Sequence, residues 1–369
     1  MVNSLSAELS RTMSSLRRHF DDVILPMWTG SGFNSSLGLP YESLSGDVRE
    51  PLPVQRYRAM ACARQLYVYA TARGEDYHAH AARLFDALLH YFRDVKHGGW
   101  RYSVDAEGRP LDERQDLYTH AFIVFACAAY FDRCHRADAR QVMLQTAQQI
   151  EGRFRTADGT YQAAMSADWT QVMAGPAQNP IMHLTEAYLA AARVAEPAWF
   201  AQKLRRTAQE VADTFLHASA LCITEAPTRA VDNAIEPGHQ FEWYALLANA
   251  PEVFADLVLP VTLPRGCIWA RERGVMPKSS GVCAALREDG SISDPTQRIW
   301  AQAEYARYLA VLGDWSALSI HLTQFQQRFL HAGGWHECLD SEGQLVRADM
   351  PATTPYHLAT CYAALPESQ

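Results

Sequence analysis

The sequence predicts an all-α fold: a toroid of six helix pairs, an (α/α)6 barrel with short β-hairpins in its connecting loops, built as one domain over residues 1–369. Three observations predict it. Apolar residues recur at spacings of three and four in about twelve segments. A small Gly-bearing hairpin recurs between them. Polar residues unusual for a core helix gather at helix starts. An open solenoid also pairs its helices, but its repeats are usually tight and its end units atypical. Here the repeat is faint, which favours a closed ring whose inner helices run parallel, with their starts around one mouth.

The helical segments fall at 4–20, 54–73, 76–95, 112–134, 137–153, 179–195, 197–216, 237–250, 251–261, 295–312, 315–330 and 352–365. Pro180, Pro237 and Pro295 read as first-turn prolines, with Asn179 and Asp294 just ahead of two of them. Gly98-Gly99-Trp100 leads into a turn ending at Gly108, and Gly333-Gly334-Trp335 leads into one ending at Gly343. Echoes stand at 158–161 and 286–291, so the repeating unit is helix, hairpin, helix. No Pro/Ser linker or composition break divides the chain.

Composition narrows the function classes. Hydrophobic residues make up 48% and charged residues 20% of 369, as in a soluble globular protein. The net charge is -8, from 33 basic and 41 acidic residues, without a Lys/Arg block, so neither nucleic acid nor an anionic membrane is an expected partner. Glu8, Asp21 and Asp22 interrupt the early sequence, and neither a signal peptide nor a membrane anchor is expected. The eight cysteines are scattered without CxxC, which suits reduced thiols and a cytoplasmic location. Nine Trp and 16 Tyr are generous, and flat amphipathic rings serve carbohydrate sites as well as cores.

Three segments carry candidate chemistry. In Glu236-Pro237-Gly238-His239-Gln240-Phe241-Glu242-Trp243, His239 and Glu242 lie three apart at a helix start. A carboxylate beside an imidazole favours the charged ring, as an acid–base catalyst needs; a capping His with a solvated Glu is the plainer alternative. In Gln178-Asn179-Pro180-Ile181-Met182-His183-Leu184-Thr185-Glu186, a His and a Glu are again three apart, readable also as a cap and a core histidine. In Met350-Pro351-Ala352-Thr353-Thr354-Pro355-Tyr356-His357, a third His stands at a helix start. Arg64 lies in an apolar helix and wants an anionic or hydroxyl-rich partner. Tyr118 and His120 open another helix, Trp300 and Glu304 are four apart on one face, and Arg229 precedes His239. HExxH, zinc-type Cys/His spacing, a Walker loop and GxSxG are all absent from the sequence. Gly30-Ser31-Gly32 lacks the context of a dinucleotide site. What remains suits moving protons on a polyhydroxylated substrate, with neither metal nor cofactor expected.

With those residues assembled, the chain resembles the N-acylglucosamine 2-epimerase superfamily, and within it the D-mannose isomerase branch. The resemblance rests on the GGW hairpin followed by Asp116-Leu117-Tyr118-Thr119-His120-Ala121-Phe122, on the three segments above, and on Trp300-Ala301-Gln302-Ala303-Glu304. It implies an (α/α)6 barrel with His239 and His357 as catalysts. It implies a substrate-binding set of Arg64, Tyr118, Asn179, His183, Glu242, Trp300, Arg229 and Glu304. Trp243 after the Glu of the motif, and the Thr353-Thr354 pair, are similar to isomerases of that branch rather than to 2-epimerases. The implied reaction is D-mannose to D-fructose, with D-lyxose to D-xylulose as a relative, on a free monosaccharide, in a monomer or small homo-oligomer. A sugar 2-epimerase on the same scaffold is the alternative. A glycoside hydrolase, which needs two opposed carboxylates such as Glu186, Glu242 or Glu304, is the more distant one.

Overall fold

The computed structural model describes residues 6–367. Twelve helices among them form the barrel: α1 (Ala7–His19), α2 (Ala59–Thr71), α3 (Glu75–Ala87), α4 (Leu117–Cys134), α5 (Ala137–Arg153), α6 (Gln178–Val194), α7 (Pro197–Phe215), α8 (Pro237–Ala248), α9 (Val258–Gly274), α10 (Ile299–Leu312), α11 (Trp315–Phe329) and α12 (Thr354–Ala364). Helices α2, α4, α6, α8, α10 and α12 each pack on the next, and α12 packs back on α2, which closes the inner ring. The (α/α)6 barrel is the observed architecture. Helix α1 seals it by lying against both α11 and α12.

Burial explains which helices go inside. Every residue of α10 from Ile299 to Ala310 is buried, the pattern of a helix covered on all sides. In the outer α7, burial falls on Phe200, Leu204, Thr207, Ala208, Val211 and Phe215, one stripe of an amphipathic helix. The first turns of the inner helices surround one cavity, and their last turns surround a second at the opposite end. The six inner helices are therefore parallel. No helix among the described residues is long and apolar enough to cross a membrane.

The hairpins do more than connect. The strands Tyr57–Arg58, Arg101–Val104, Pro110–Asp116, Ala164–Met165 and Val172–Ala174 join in one five-stranded antiparallel sheet, so loops of neighbouring pairs brace one another at the mouth. Asp116 ends the third of these strands and caps α4, its carboxylate accepting the Thr119 N–H at 2.8 Å. After the outer helices, short loops are closed by the bridges Arg93 to Trp100, Leu216 to Ile223 and Val275 to Val282. At the last two of these, a glutamine from the next inner helix grips the loop. Gln240 accepts from the Ile223 N–H at 2.7 Å and donates to its carbonyl at 2.8 Å, and Gln302 does the same to Val282.

Several boundaries differ from the sequence reading. The segments from 54, 112 and 295 begin as extended chain at Tyr57–Arg58, Pro110–Asp116 and Gln297–Arg298, and turn helical only afterwards. Pro295 and Asp294 therefore do not open a helix, and Asn179 lies inside the first turn of α6 rather than capping it. The segment 251–261 is a short helix, Pro251–Phe254, followed by the full outer helix α9. Pro260, Pro264 and Gly266 disguised α9, but Pro260 occupies the first turn, where no intrahelical N–H is required. The helix expected at 4–20 is seen as α1, which runs on through a π-turn at Phe20–Ile24; residues 4–5 lie outside the described residues.

The glutamine clamp is testable. Gln240→Leu leaves the buried N–H and carbonyl of Ile223 without partners, and an orphaned buried group costs about 1–3 kcal/mol. The urea midpoint should fall by an amount worth about 2–3 kcal/mol with the slope unchanged. An unshifted midpoint would show that the clamp contributes nothing.

Candidate active site

The cavity at the helix starts has a volume of about 120 Å³. One water needs roughly 10–15 Å³ on that measure, so the space suits a molecule of monosaccharide size. Every inner helix contributes: Arg64 from α2, Tyr118 from α4, Asn179 and His183 from α6, His239 and Glu242 from α8, Trp300 from α10 and His357 from α12. Glu236, Arg298, Glu337 and Thr353 reach in from the loops. Six helix N-termini aimed at one small space make it a favourable place for negative charge.

The indole of Trp300 carries both candidate catalytic rings. His239 stacks on it with centroids 4.9 Å apart and planes at 29°, and His357 lies 5.6 Å away at 37°. Gly238 makes this possible, because a β-carbon there would come within 2.7 Å of the Trp300 ring.

What lies behind each ring differs. His239 Nδ1 is 2.8 Å from Glu225 Oε1 and 3.6 Å from Glu236 Oε2. The sequence reading paired His239 with Glu242, and the structure corrects this. Spacing of three puts both on one face, but the imidazole turns toward the loop carboxylates, while Glu242 Oε1 lies 3.7 Å from His183 Nδ1. Burial alone would lower the His239 pKa, yet the charges of Glu225 and Glu236 and the hydrogen bond to Glu225 outweigh it and push it up to about 10. His239 is an imidazolium at neutral pH.

His357 is the opposite case. Its Nδ1 is 2.8 Å from Glu304 Oε1, which leaves Nε2 for the cavity. Burial, reinforced by the charge of Arg64, holds its pKa well below 6.5. His183 is likewise lowered, to about 3, by burial, despite Glu186 Oε2 at 3.5 Å from its Nδ1. Both rings are neutral.

Beneath the cavity, three buried carboxyls crowd together. Glu304 Oε2 accepts from Arg307 Nη1 at 3.3 Å, and Glu186 Oε1 lies 3.6 Å from the same nitrogen. Burial raises Glu242 well above 4.5, and the charges of Glu304 and Glu186 add to it. Glu242 is therefore a neutral acid. Neither of its oxygens has a hydrogen-bond partner among the described residues. Glu186 is charged: burial would raise it, but His183, Arg307 and the Tyr356 hydroxyl hold it down to about 2.

Arg64 donates to the Tyr118 hydroxyl at 2.5 Å and to the Thr353 carbonyl at 3.4 Å, and its guanidinium faces Phe122 at 4.3 Å. No carboxylate pairs with it among the described residues, so its charge is free for an anionic oxygen. Of the remaining expected residues, Glu304 does not line the cavity but holds His357 from behind. Arg229 is exposed on its loop and is not among the lining residues. Sequence reasoning missed Glu225, Arg298, Glu337 and Arg307. Gln178 and Glu236 stood in the motifs it singled out, but no role fell to either. Three sets, His183 with Glu186 and Glu242, Glu225 with Glu236 and His239, and Glu242 with Glu304 and His357, bring ligand-type atoms within 4.8 Å and have the chemistry to hold a cation. In each set, Nδ1 of the histidine already faces a carboxylate within 3.5 Å.

Known proteins resemble this chain over most of its length. Residues 45–361 match the profile of the N-acylglucosamine 2-epimerase (GlcNAc 2-epimerase) family. A mannose-6-phosphate isomerase from Rhizobium meliloti (strain 1021) is 28% identical, with 92% of each chain covered. A D-mannose isomerase from Thermobifida fusca is 32% identical, with 79% of each covered. The solved cellobiose 2-epimerase from Bacillus thermoamylovorans B4167 superposes with a TM-score of 0.87 at 18% identity, covering 95% of this chain and 98% of that one.

The opposed charges of the histidines give a titration test. In side-chain ¹⁵N NMR, His239 should stay protonated until pH about 10, while His183 stays neutral down to about 3. Because the folded pKa of His239 is raised from 6.5, its contribution to stability is complete below pH 6.5 and is lost as pH rises through about 10. A His239 ring that titrates near 6.5 would contradict the assignment.

Proposed function

This chain belongs to the N-acylglucosamine 2-epimerase family, and within that family of sugar isomerases and epimerases we propose that it interconverts D-mannose and D-fructose through a cis-enediol, with D-lyxose and D-xylulose as a second pair. The observation that carries the proposal is the pair of imidazoles on Trp300, one charged and one neutral, in a cavity of monosaccharide size.

The charged ring supplies acid and the neutral ring supplies base. His239 donates a proton to the ring oxygen as the pyranose opens, and takes back the proton of the anomeric hydroxyl. In the open aldose, Nε2 of His357 removes the proton on C2, and the C2–H electron pair forms the C1–C2 double bond as the carbonyl oxygen O1 becomes anionic. Glu304, hydrogen-bonded to Nδ1, stabilises the imidazolium that His357 becomes. Arg64 and the converging helix starts surround the space where that negative oxygen forms, and such fixed donors act most strongly in a dry site. His239 then moves a proton from O2 to O1, and His357 returns its proton to C1. The product is the ketose, with atoms and charge conserved.

One base serving two neighbouring carbons from one face suffices for isomerisation. Epimerisation at C2 needs the proton returned on the other face. Here His183 supports a second reading, since it lines the same cavity as a neutral base with its ring 6.4 Å from that of His357. A glycosidase would need two opposed carboxylates free at the cavity. Glu186 and Glu304 are bound to Arg307 behind it, Glu236 lies 3.6 Å from His239, and Glu337 accepts from Trp335 and Thr354, which leaves Glu242 without an opposed partner.

Product analysis after incubation with D-mannose separates these readings. Fructose is expected, glucose would mean an epimerase, and release of monomers from mannobiose would mean a hydrolase. His239→Ala and His357→Ala should each lower kcat by about 10²–10⁴-fold, the usual range for an acid–base group, with circular dichroism unchanged. In deuterated water the fructose should carry solvent label at C1. Normal turnover in both variants would refute the assignment.

A further inference from the structure

Gln178 and Trp243 are buried and do not line the cavity, yet both are tied to His239. Trp243 Nε1 donates to Gln178 Oε1 at 2.8 Å. Gln178 Nε2 stands 3.0 Å from each oxygen of Glu225, and Glu225 Oε1 is 2.8 Å from His239 Nδ1. We infer that Trp243 and Gln178 are positioning residues for the acid of the reaction, acting as a chain in which the indole N–H orients the amide, the amide holds the Glu225 carboxylate, and the carboxylate aims the His239 ring. The inference rests on the proposed acid role of His239.

The polarity of the chain runs one way. An indole N–H only donates, so the amide oxygen of Gln178 must face Trp243, and its NH₂ group must face Glu225. The flipped amide would set donor against donor and carbonyl against carboxylate. Because the side chain is fully buried, water offers no relief from that mismatch. Glu225 needs holding: it sits in a loop, is 21% exposed at its side chain, and could otherwise turn to solvent. The backbone repeats the link, with the Gln178 N–H donating to the Glu225 carbonyl at 3.1 Å. The 2.9 Å approach of Gln178 Nε2 to His239 Nδ1 follows from both groups converging on one carboxylate. Trp243 and His239 are four apart on α8, so the chain starts and ends on one helix face and spans the gap to α6. An acid whose Nδ1 is fixed has its Nε2 fixed as well, and acid catalysis depends on that direction.

The test is the titration of His239 by side-chain ¹⁵N NMR, together with the pH profile of kcat/KM for D-mannose. It uses Gln178→Leu, Trp243→Phe, the double variant, and Glu225→Gln as reference. Losing the carboxylate outright in Glu225→Gln should lower the His239 pKa by about 1–3 units. Gln178→Leu and Trp243→Phe should each move it the same way by about one unit, and should lower kcat more than they raise KM. The double variant should shift it no further than Gln178→Leu alone, because Trp243 acts through Gln178. An unmoved His239 pKa in the single variants, or additive shifts in the double, would overturn the inference. If Trp243→Phe does not fold, 3-benzothienylalanine at 243 keeps the ring shape, removes only the N–H and gives the same readout. The NMR arm needs no turnover. A wild type that makes no fructose would therefore count against the proposed reaction alone, while an unmoved titration would count against the chain.

Discussion

The structure depends on keeping two buried imidazoles in opposite charge states on one indole. Burial by itself makes every imidazole neutral, as His183 and His357 are, so the exception needs a cause. Two loop carboxylates behind His239 supply it. The price is desolvated charge in the middle of a protein, which persists only where each member has partners. The amide of Gln178 and the open side of the Glu225 loop provide them on the acid side. On the base side, Glu304 faces His357, and Arg307 neutralises Glu304 from below.

The barrel is what makes such a site possible. Six parallel helices bring their unpaired N–H ends to one mouth, so the cavity floor favours developing negative charge before any side chain is considered. Each inner helix needs to contribute only one or two polar residues in its early turns, and the remaining turns stay apolar and pack. Close packing also places the indole. Trp300 lies on the backbone of α8 where Gly238 leaves room, and that contact sets the rings of α8 and α12 against a shared wall. The loops supply the charges that tune the rings, and the five-stranded sheet at the mouth braces the loops on one side.

Much of this was legible in the sequence, and the reason is local. Arg64, Tyr118, Asn179, His183, His239, Glu242, Trp300 and His357 are polar or amphipathic residues in the early turns of apolar helices, a pattern that stands out without a structure, and all of them line one cavity. The pairings were not legible. Spacing of three suggested that Glu242 tunes His239, but periodicity reports only a shared face, not the direction a ring turns. Glu225 lies fourteen residues before His239 in a loop without periodic signal, and Glu337 and Arg298 reach the cavity from hairpins far from it in sequence. Glu304 reads as a site residue from its spacing to Trp300, yet it faces the back of His357. Helix α9 was hidden by its prolines, whose cost depends on which turn they occupy.

The central claim is that His239 and His357 address adjacent atoms at one end of an opened sugar. A crystal structure with a hexose-length hydroxamic acid, whose planar head group resembles the cis-enediolate, tests this most directly. The account predicts the head group on the face of Trp300, with its carbon about 3–3.5 Å from Nε2 of His357 and its oxygens directed to His239 and Arg64. A head group bound at the far end of the cavity, with the polyol tail against the two histidines, would contradict it.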